Sequence, residues 1–213
     1  MRLPEPPLLL ITDRAQARRP LSDILEEAFA AGCRWASLRE KDLPIEEQIA
    51  LAQSLKPVAQ KFGAKLTLHG DASTAVAAGI DGVHLGAGSD VAAARELLGP
   101  RALIGLSIHG VSEIEQLTAA PDYLVVGPVF ETASKPGYGP ALRPAGLAEV
   151  ITQSPMPGLA IGGITAGRVG EVLRAGAHGA AVMGGVMRAS DVKEEIGGFL
   201  AALAAVRLQP RPR

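Results

Sequence analysis

Short apolar runs alternate with amphipathic stretches along the whole chain, and eight rounds of this alternation can be counted. The apolar runs lie at 8–12 (LLLIT), 35–40 (WASLRE), 65–70 (KLTLHG), 82–86 (GVHLG), 103–109 (LIGLSIH), 122–130 (DYLVVGPVF), 158–163 (GLAIGG) and 179–185 (GAAVMGG). Each has the length of a strand, and most are apolar almost throughout. That combination predicts parallel strands covered by helices. Helices are predicted over 21–32, 44–63, 91–99, 111–120, 147–153, 166–176 and 190–206. Gly32, Gly63, Gly99 and Gly176 close four of them, as a left-handed C-terminal cap requires. Eight strand–helix units predict a single (β/α)₈ barrel. An open doubly wound sheet is the structural alternative. Against it, the first strand is not followed by a G-x-G-x-x-G turn.

Composition narrows the picture without redirecting it. With 213 residues and 47% hydrophobic content, the chain can bury a full core as one domain, read as 1–206. Residues 207–213 (RLQPRPR) are polar and proline-broken, and a frayed tail is expected there. Aromatics make up only 3%, so the core must be built from Ala, Val, Leu and Ile. The net charge is −1 and no basic stripe is interleaved with aromatics, so a nucleic-acid partner is not expected. The single cysteine, Cys33, excludes an internal disulfide and any multi-cysteine metal site. The first apolar run is far too short to span a bilayer, and no small-residue cleavage site follows it. The expectation is a cytoplasmic protein without a membrane partner.

In either fold the chemistry belongs at the C-terminal ends of the strands, and those ends are informative. The seventh strand ends in Gly162-Gly163 and the eighth in Gly184-Gly185. Loops at these two places commonly hold a phosphate on backbone N–H groups, and glycine is needed because a Cβ would keep the anion away. On the second strand Ser37, Arg39 and Lys41 share one face, so the two cations should point into the barrel mouth, unless Glu40, Asp42 or Asp13 pairs with them at the rim. The fifth strand places Ser107 and His109 on one face, a hydroxyl and a group that titrates near neutrality. His69 ends the third strand, and His84 lies mid-strand in the fourth, where a structural role is expected. After the sixth strand comes a long polar loop in which Thr132, Ser134 and Lys135 are suitable donors to a phosphate or diphosphate.

Taken in order, TDR (12–14), LREKD (38–42), DGVHLG (81–86), GLSIH (105–109), DYLVVGPVF (122–130), ETASKPG (131–137), AIGGI (160–164) and AVMGG (181–185) resemble the thiamine phosphate synthase/TenI family. The resemblance runs from about residue 8 to 187 and implies a (β/α)₈ barrel, often a homodimer. It implies a thiazole phosphate as the small-molecule ligand. Family synthases join a hydroxymethylpyrimidine diphosphate to a thiazole phosphate carboxylate, with Mg²⁺ neutralising the leaving diphosphate. TenI-type members are thiazole tautomerases and need no cofactor. By resemblance, Arg39 and Lys41 match the diphosphate contacts, Ser107 a small polar residue near the pyrimidine, and Thr132, Ser134 and Lys135 the hydroxyl-hydroxyl-lysine loop.

Departures from the synthase pattern fall at the metal positions. Where synthases usually end the third strand in Asn-Asp, this chain has His69-Gly70. Where they follow the fourth-strand glycine with Gln, an acidic residue and Asp, it has Ala87, Gly88 and Ser89. Asp71 and Asp90 sit one residue further on, and Asp90 is the candidate metal ligand if the protein is a synthase. The tautomerase has its own gap, because Pro128 replaces the histidine expected on the sixth strand. A proton transfer would then need another base, with His69 and His109 the candidates beside Lys41. The sequence therefore favours a TenI-type tautomerase. A synthase with an altered Mg²⁺ site and a non-catalytic binder of thiazole or thiamine phosphate are the alternatives.

Overall fold

The computed structural model describes residues 3–132 and 140–207. Eight strands form the sheet: β1 (Leu8–Ile11), β2 (Trp35–Leu38), β3 (Lys65–His69), β4 (Gly82–Leu85), β5 (Leu103–Ile108), β6 (Tyr123–Val126), β7 (Gly158–Ala160) and β8 (Gly179–Val182). They pair in chain order, every pair parallel, and β8 returns to β1 to close the barrel. Around it lie α1 (Leu21–Ala30), α2 (Ile45–Lys61), α3 (Ala72–Ala78), α4 (Val91–Leu98) and α5 (Val111–Glu115). The ring continues with α6 (Arg143–Gln153), α7 (Ala166–Arg174), the one-turn α8 (Gly184–Met187) and α9 (Val192–Arg207). The (β/α)₈ architecture is the one the alternation predicts. No helix of the described residues is long and apolar enough to cross a membrane.

Each strand is buried on both faces, and the two-residue period of the strand sorts its side chains into two cores. Leu8 and Leu10 face outward and pack with Leu25 and Phe29 of α1 and Phe199 of α9. Leu9 and Ile11 face inward and join Trp35, Leu103, Tyr123, Val125, Leu159 and Ala181 inside the barrel. Trp35 and Tyr123 meet edge to face there, with ring centroids 4.5 Å apart. Large rings fit because the neighbouring strand yields space. A Cβ on Gly105 would lie 2.0 Å from Tyr123 Cζ. Gly105→Ala should therefore overpack the barrel and cost about 3 kcal/mol of stability, read as a lower midpoint in chemical denaturation. An unchanged midpoint would show that the Tyr123 ring can move aside.

Three local differences from the sequence reading bear on the site. Helix α3 was not anticipated; its sequence (ASTAVAA) is too short and too uniformly small to show a helical stripe. The eighth strand stops at Val182, and Gly184-Gly185 open α8 instead of ending the strand. Strand β6 stops at Val126, ahead of Pro128, which has no N–H to donate to a ladder. Pairing with the seventh strand nevertheless resumes beyond it, through Val129 N–H to the Ile161 carbonyl (2.7 Å) and Phe130 N–H to that of Gly162 (3.0 Å).

Candidate functional site

The C-terminal ends of the strands surround one pocket of about 600 Å³. Arg39, Lys41, His69, Ser107, His109, Thr132 and the pairs Gly162-Gly163 and Gly184-Gly185 all line it. Residues drawn from six strand ends of the sequence reading are thus brought together. Ser134 and Lys135 lie outside the described residues.

The cationic rim is prepared by the first two strand ends. Glu40, between Arg39 and Lys41, is buried; it accepts hydrogen bonds from Thr12 Oγ1 (2.6 Å) and the Arg14 N–H (2.9 Å). Burial pushes its carboxyl up from the ordinary value, and those hydrogen bonds pull the other way. Asp42 pairs with the Arg14 guanidinium at 2.5 Å. Asp13 is occupied by the Gln16 side chain. The acids that could have paired with Arg39 and Lys41 are therefore engaged elsewhere. Neither cation makes an ion pair among the described residues. The Arg39 N–H also donates to Thr12 Oγ1 (3.0 Å), so the TDR and LREKD segments form one clamp that aims the rim.

The glycine side of the pocket depends on close backbone approach. Gly162 and Gly163 have φ of +96° and +64°. A Cβ on Gly162 would lie 2.6 Å from Pro128 Cβ, and one on Gly163 2.6 Å from the Glu131 carbonyl oxygen. Two arginines not picked out from sequence also line the pocket. Arg168 donates to the Gly163 carbonyl at 2.9 Å and covers the Phe130 ring at 4.5 Å. Arg188 donates to Gln16 Oε1. A cation in the first turn of a helix opposes the macrodipole, and Arg168 in α7 was a visible signal of that kind.

His84, for which the sequence predicts a structural role, fills one. It is fully buried at the pocket floor, with Nε2 2.9 Å from Ser107 Oγ and Nδ1 3.3 Å from the Tyr123 hydroxyl. The His69 ring lies beside it, centroids 4.6 Å apart, because β3 and β4 place the two residues in register. Burial lowers the His84 pKa from 6.5 to about 3, with a smaller contribution from Lys41. Burial likewise pushes the Tyr123 phenol up. The ring is therefore neutral at neutral pH and presents one acceptor and one donor to its hydroxyl partners. Unfolded, the same imidazole takes a proton near pH 6.5, so the folded state loses about 1.4 kcal/mol per pH unit between 6.5 and about 3 as acid is added. Above pH 6.5 this contribution to stability is fully present. Denaturation at pH 7 and pH 5 should show a fall from this group of about 2 kcal/mol that His84→Gln removes. Equal pH dependence in both proteins would mean that the ring accepts a proton in place.

His109 is tied to Glu113, which accepts from its N–H (2.7 Å) and lies 3.3 Å from Nδ1. The metal candidates fall elsewhere. Asp90 caps α4 by accepting the Ala93 N–H (3.0 Å), and Asp71 begins α3; both are exposed and neither lines the pocket. Glu131 is the one carboxylate lining it among the described residues, where no group of three or more His, Cys, Asp or Glu is placed to hold a metal. Residues 133–139 read ASKPGYG and contain no acid. These residues do not fit a carboxylate-held Mg²⁺.

Fold and pocket together define a (β/α)₈ barrel of the class that opens a cationic, glycine-edged small-molecule site at the C-terminal face of its sheet. The family described as thiamine monophosphate synthase matches residues 8–186. A relative from Geobacter sulfurreducens, provisionally named a thiamine-phosphate synthase, is 41% identical over 199 residues, covering 92% of this chain and 93% of its own. The thiamine-phosphate synthase of Roseiflexus sp. is 36% identical over 208 residues, with 96% and 87% covered. A solved structure of thiamine phosphate pyrophosphorylase from Pyrococcus furiosus superposes with a TM-score of 0.82 at 29% identity, covering 93% and 96%. The chain belongs to the thiamine phosphate synthase/TenI family of thiamine biosynthesis.

Proposed function

We propose that the protein is a thiamine phosphate synthase, a transferase that joins a pyrimidine diphosphate to a thiazole phosphate. One observation carries the reading: a single pocket has two sides suited to anions, the glycine pairs of the seventh and eighth strands and the cations Arg39 and Lys41 of the second, which make no ion pair among the described residues. A ligand with one phosphate needs one such side; two phosphorylated substrates need both. The names of the relatives weigh the same way and move the balance away from the tautomerase that the sequence favoured.

In this reading the backbone N–H groups at Gly162-Gly163 and Gly184-Gly185 hold the thiazole phosphate. Arg39 and Lys41 hold the diphosphate and stabilise the charge that develops as the C–O bond breaks. Ser107, oriented by neutral His84, contacts the pyrimidine, and Thr132, Ser134 and Lys135 supply further donors to the diphosphate. The thiazole nitrogen forms the new C–N bond, the electron pair of the broken bond leaves on diphosphate, and a carboxylate carried by the thiazole departs as CO₂ with a proton taken up in its place.

A TenI-type tautomerase is the second reading, favoured by the imidazoles of His69 and His109 in the same pocket and by Asp71 and Asp90 lying outside it. It needs only the thiazole phosphate. Purified protein incubated with both synthase substrates should yield thiamine phosphate and diphosphate in equal amounts. Failure to form either, with isomerisation of the thiazole phosphate carboxylate that is lost in His109→Ala or His69→Ala, would replace the synthase by the tautomerase.

A further inference from the structure

We propose that this pocket binds and neutralises its diphosphate with protein cations, without a divalent metal. For the reaction the inference rests on the synthase reading, whereas for binding it rests on the charge of the pocket alone. Mg²⁺ is normally held on a phosphorylated ligand by one or two carboxylates, the rest of its shell being water and phosphate oxygen. Here the residues at the ends of β3 and β4 are His69-Gly70 and Ala87-Gly88-Ser89. The next acids along the chain, Asp71 and Asp90, sit at the starts of α3 and α4 and stay outside the pocket.

Positive charge is abundant in the same place. Arg39, Lys41, Arg168 and Arg188 line the pocket, against the single carboxylate of Glu131 among the described residues. None of the four makes an ion pair among those residues. On the rim this is built in, because Arg14 occupies Asp42 and, with Thr12, the buried Glu40. A free dication entering such a pocket meets repulsion, whereas a diphosphate meets paired charges and directed donors. Guanidinium and ammonium groups then supply the neutralisation that a metal would supply. The diphosphate oxygen that receives the electron pair of the breaking C–O bond is stabilised where Arg39 and Lys41 stand, with His69 next to them on the neighbouring strand.

Calorimetric titration of the full chain with inorganic diphosphate tests this, in EDTA and in excess MgCl₂. Affinity in EDTA is expected within about threefold of that in MgCl₂, weakening with added salt, and Arg39→Ala should lower it about a hundredfold. Binding seen only with Mg²⁺, or in neither buffer, overturns the proposal. Thiamine phosphate formation is followed in the same two buffers. Turnover that requires Mg²⁺ sinks metal-free neutralisation and leaves the synthase reading standing. Tight binding in EDTA without turnover in either buffer supports the binding inference and removes the synthase reading.

Discussion

If the proposed synthase activity holds, Arg39→Ala is expected to lower kcat/KM for thiamine phosphate formation by about a thousandfold and to leave the protein folded. Removing one charged donor aimed at developing negative charge costs about 4 kcal/mol, which is the thousandfold. The full effect is expected because Arg39 makes no ion pair among the described residues. Glu40 is held by Thr12 and the Arg14 N–H, and Asp42 by the Arg14 side chain. The loss is expected in both constants, in KM because Arg39 holds the diphosphate of the substrate and in kcat because the contact strengthens as diphosphate leaves. Arg39→Lys should recover part of the rate, since an ammonium keeps the charge and loses the two-point geometry. A fall of less than tenfold, with the thermal midpoint preserved, would show that Arg39 is not the diphosphate ligand.

The second large effect is expected at Gly163. Its φ of +64° lies in the left-handed region, and a Cβ would meet the Glu131 carbonyl oxygen at 2.6 Å and Phe130 Cβ at 2.8 Å. Two of the three nearest atoms are backbone, so the clash is not relieved by a side-chain turn. Gly163→Ala must push the seventh-strand loop away from the segment after β6, and the phosphate N–H groups move with it. Thiazole phosphate binding should weaken about a hundredfold, close to 3 kcal/mol, measured as KM or by direct titration. Diphosphate binding at Arg39 and Lys41 should change little. Equal loss of both would mean a collapsed pocket rather than a displaced phosphate loop.

The sequence carried the barrel because its signal is local and repeated. Eight apolar runs separated by amphipathic stretches leave few other architectures, and the strand ends follow from them. Arg39, Lys41, Ser107 and His109 were legible through the two-residue alternation of β2 and β5 continued past the strand ends. His84 was legible only as a structural histidine, not as the group that orients Ser107, although it has the same inward phase in β4. Its role comes from Ser107 and Tyr123, which are 23 and 39 residues away in sequence, and no pattern within β4 marks those contacts. Arg168 and Arg188 belong to α7 and the end of α8, where surface cations are common. Only the closed ring, which sets the seventh and eighth strands beside the first, turns them toward the pocket. Asp90 shows the opposite case. Its sequence position suggested a metal ligand, whereas locally it is a good helix cap, and the cap is what the structure shows.

The proposed function stands on two sides of one pocket that suit anions. A crystal structure of the protein with thiazole phosphate and diphosphate bound together tests it most directly. The account predicts the thiazole phosphate within about 3.2 Å of backbone N–H groups at Gly162-Gly163 and Gly184-Gly185, and the diphosphate on Arg39 and Lys41. A thiazole phosphate seated on Arg39 and Lys41, with the glycine loops empty, would contradict it.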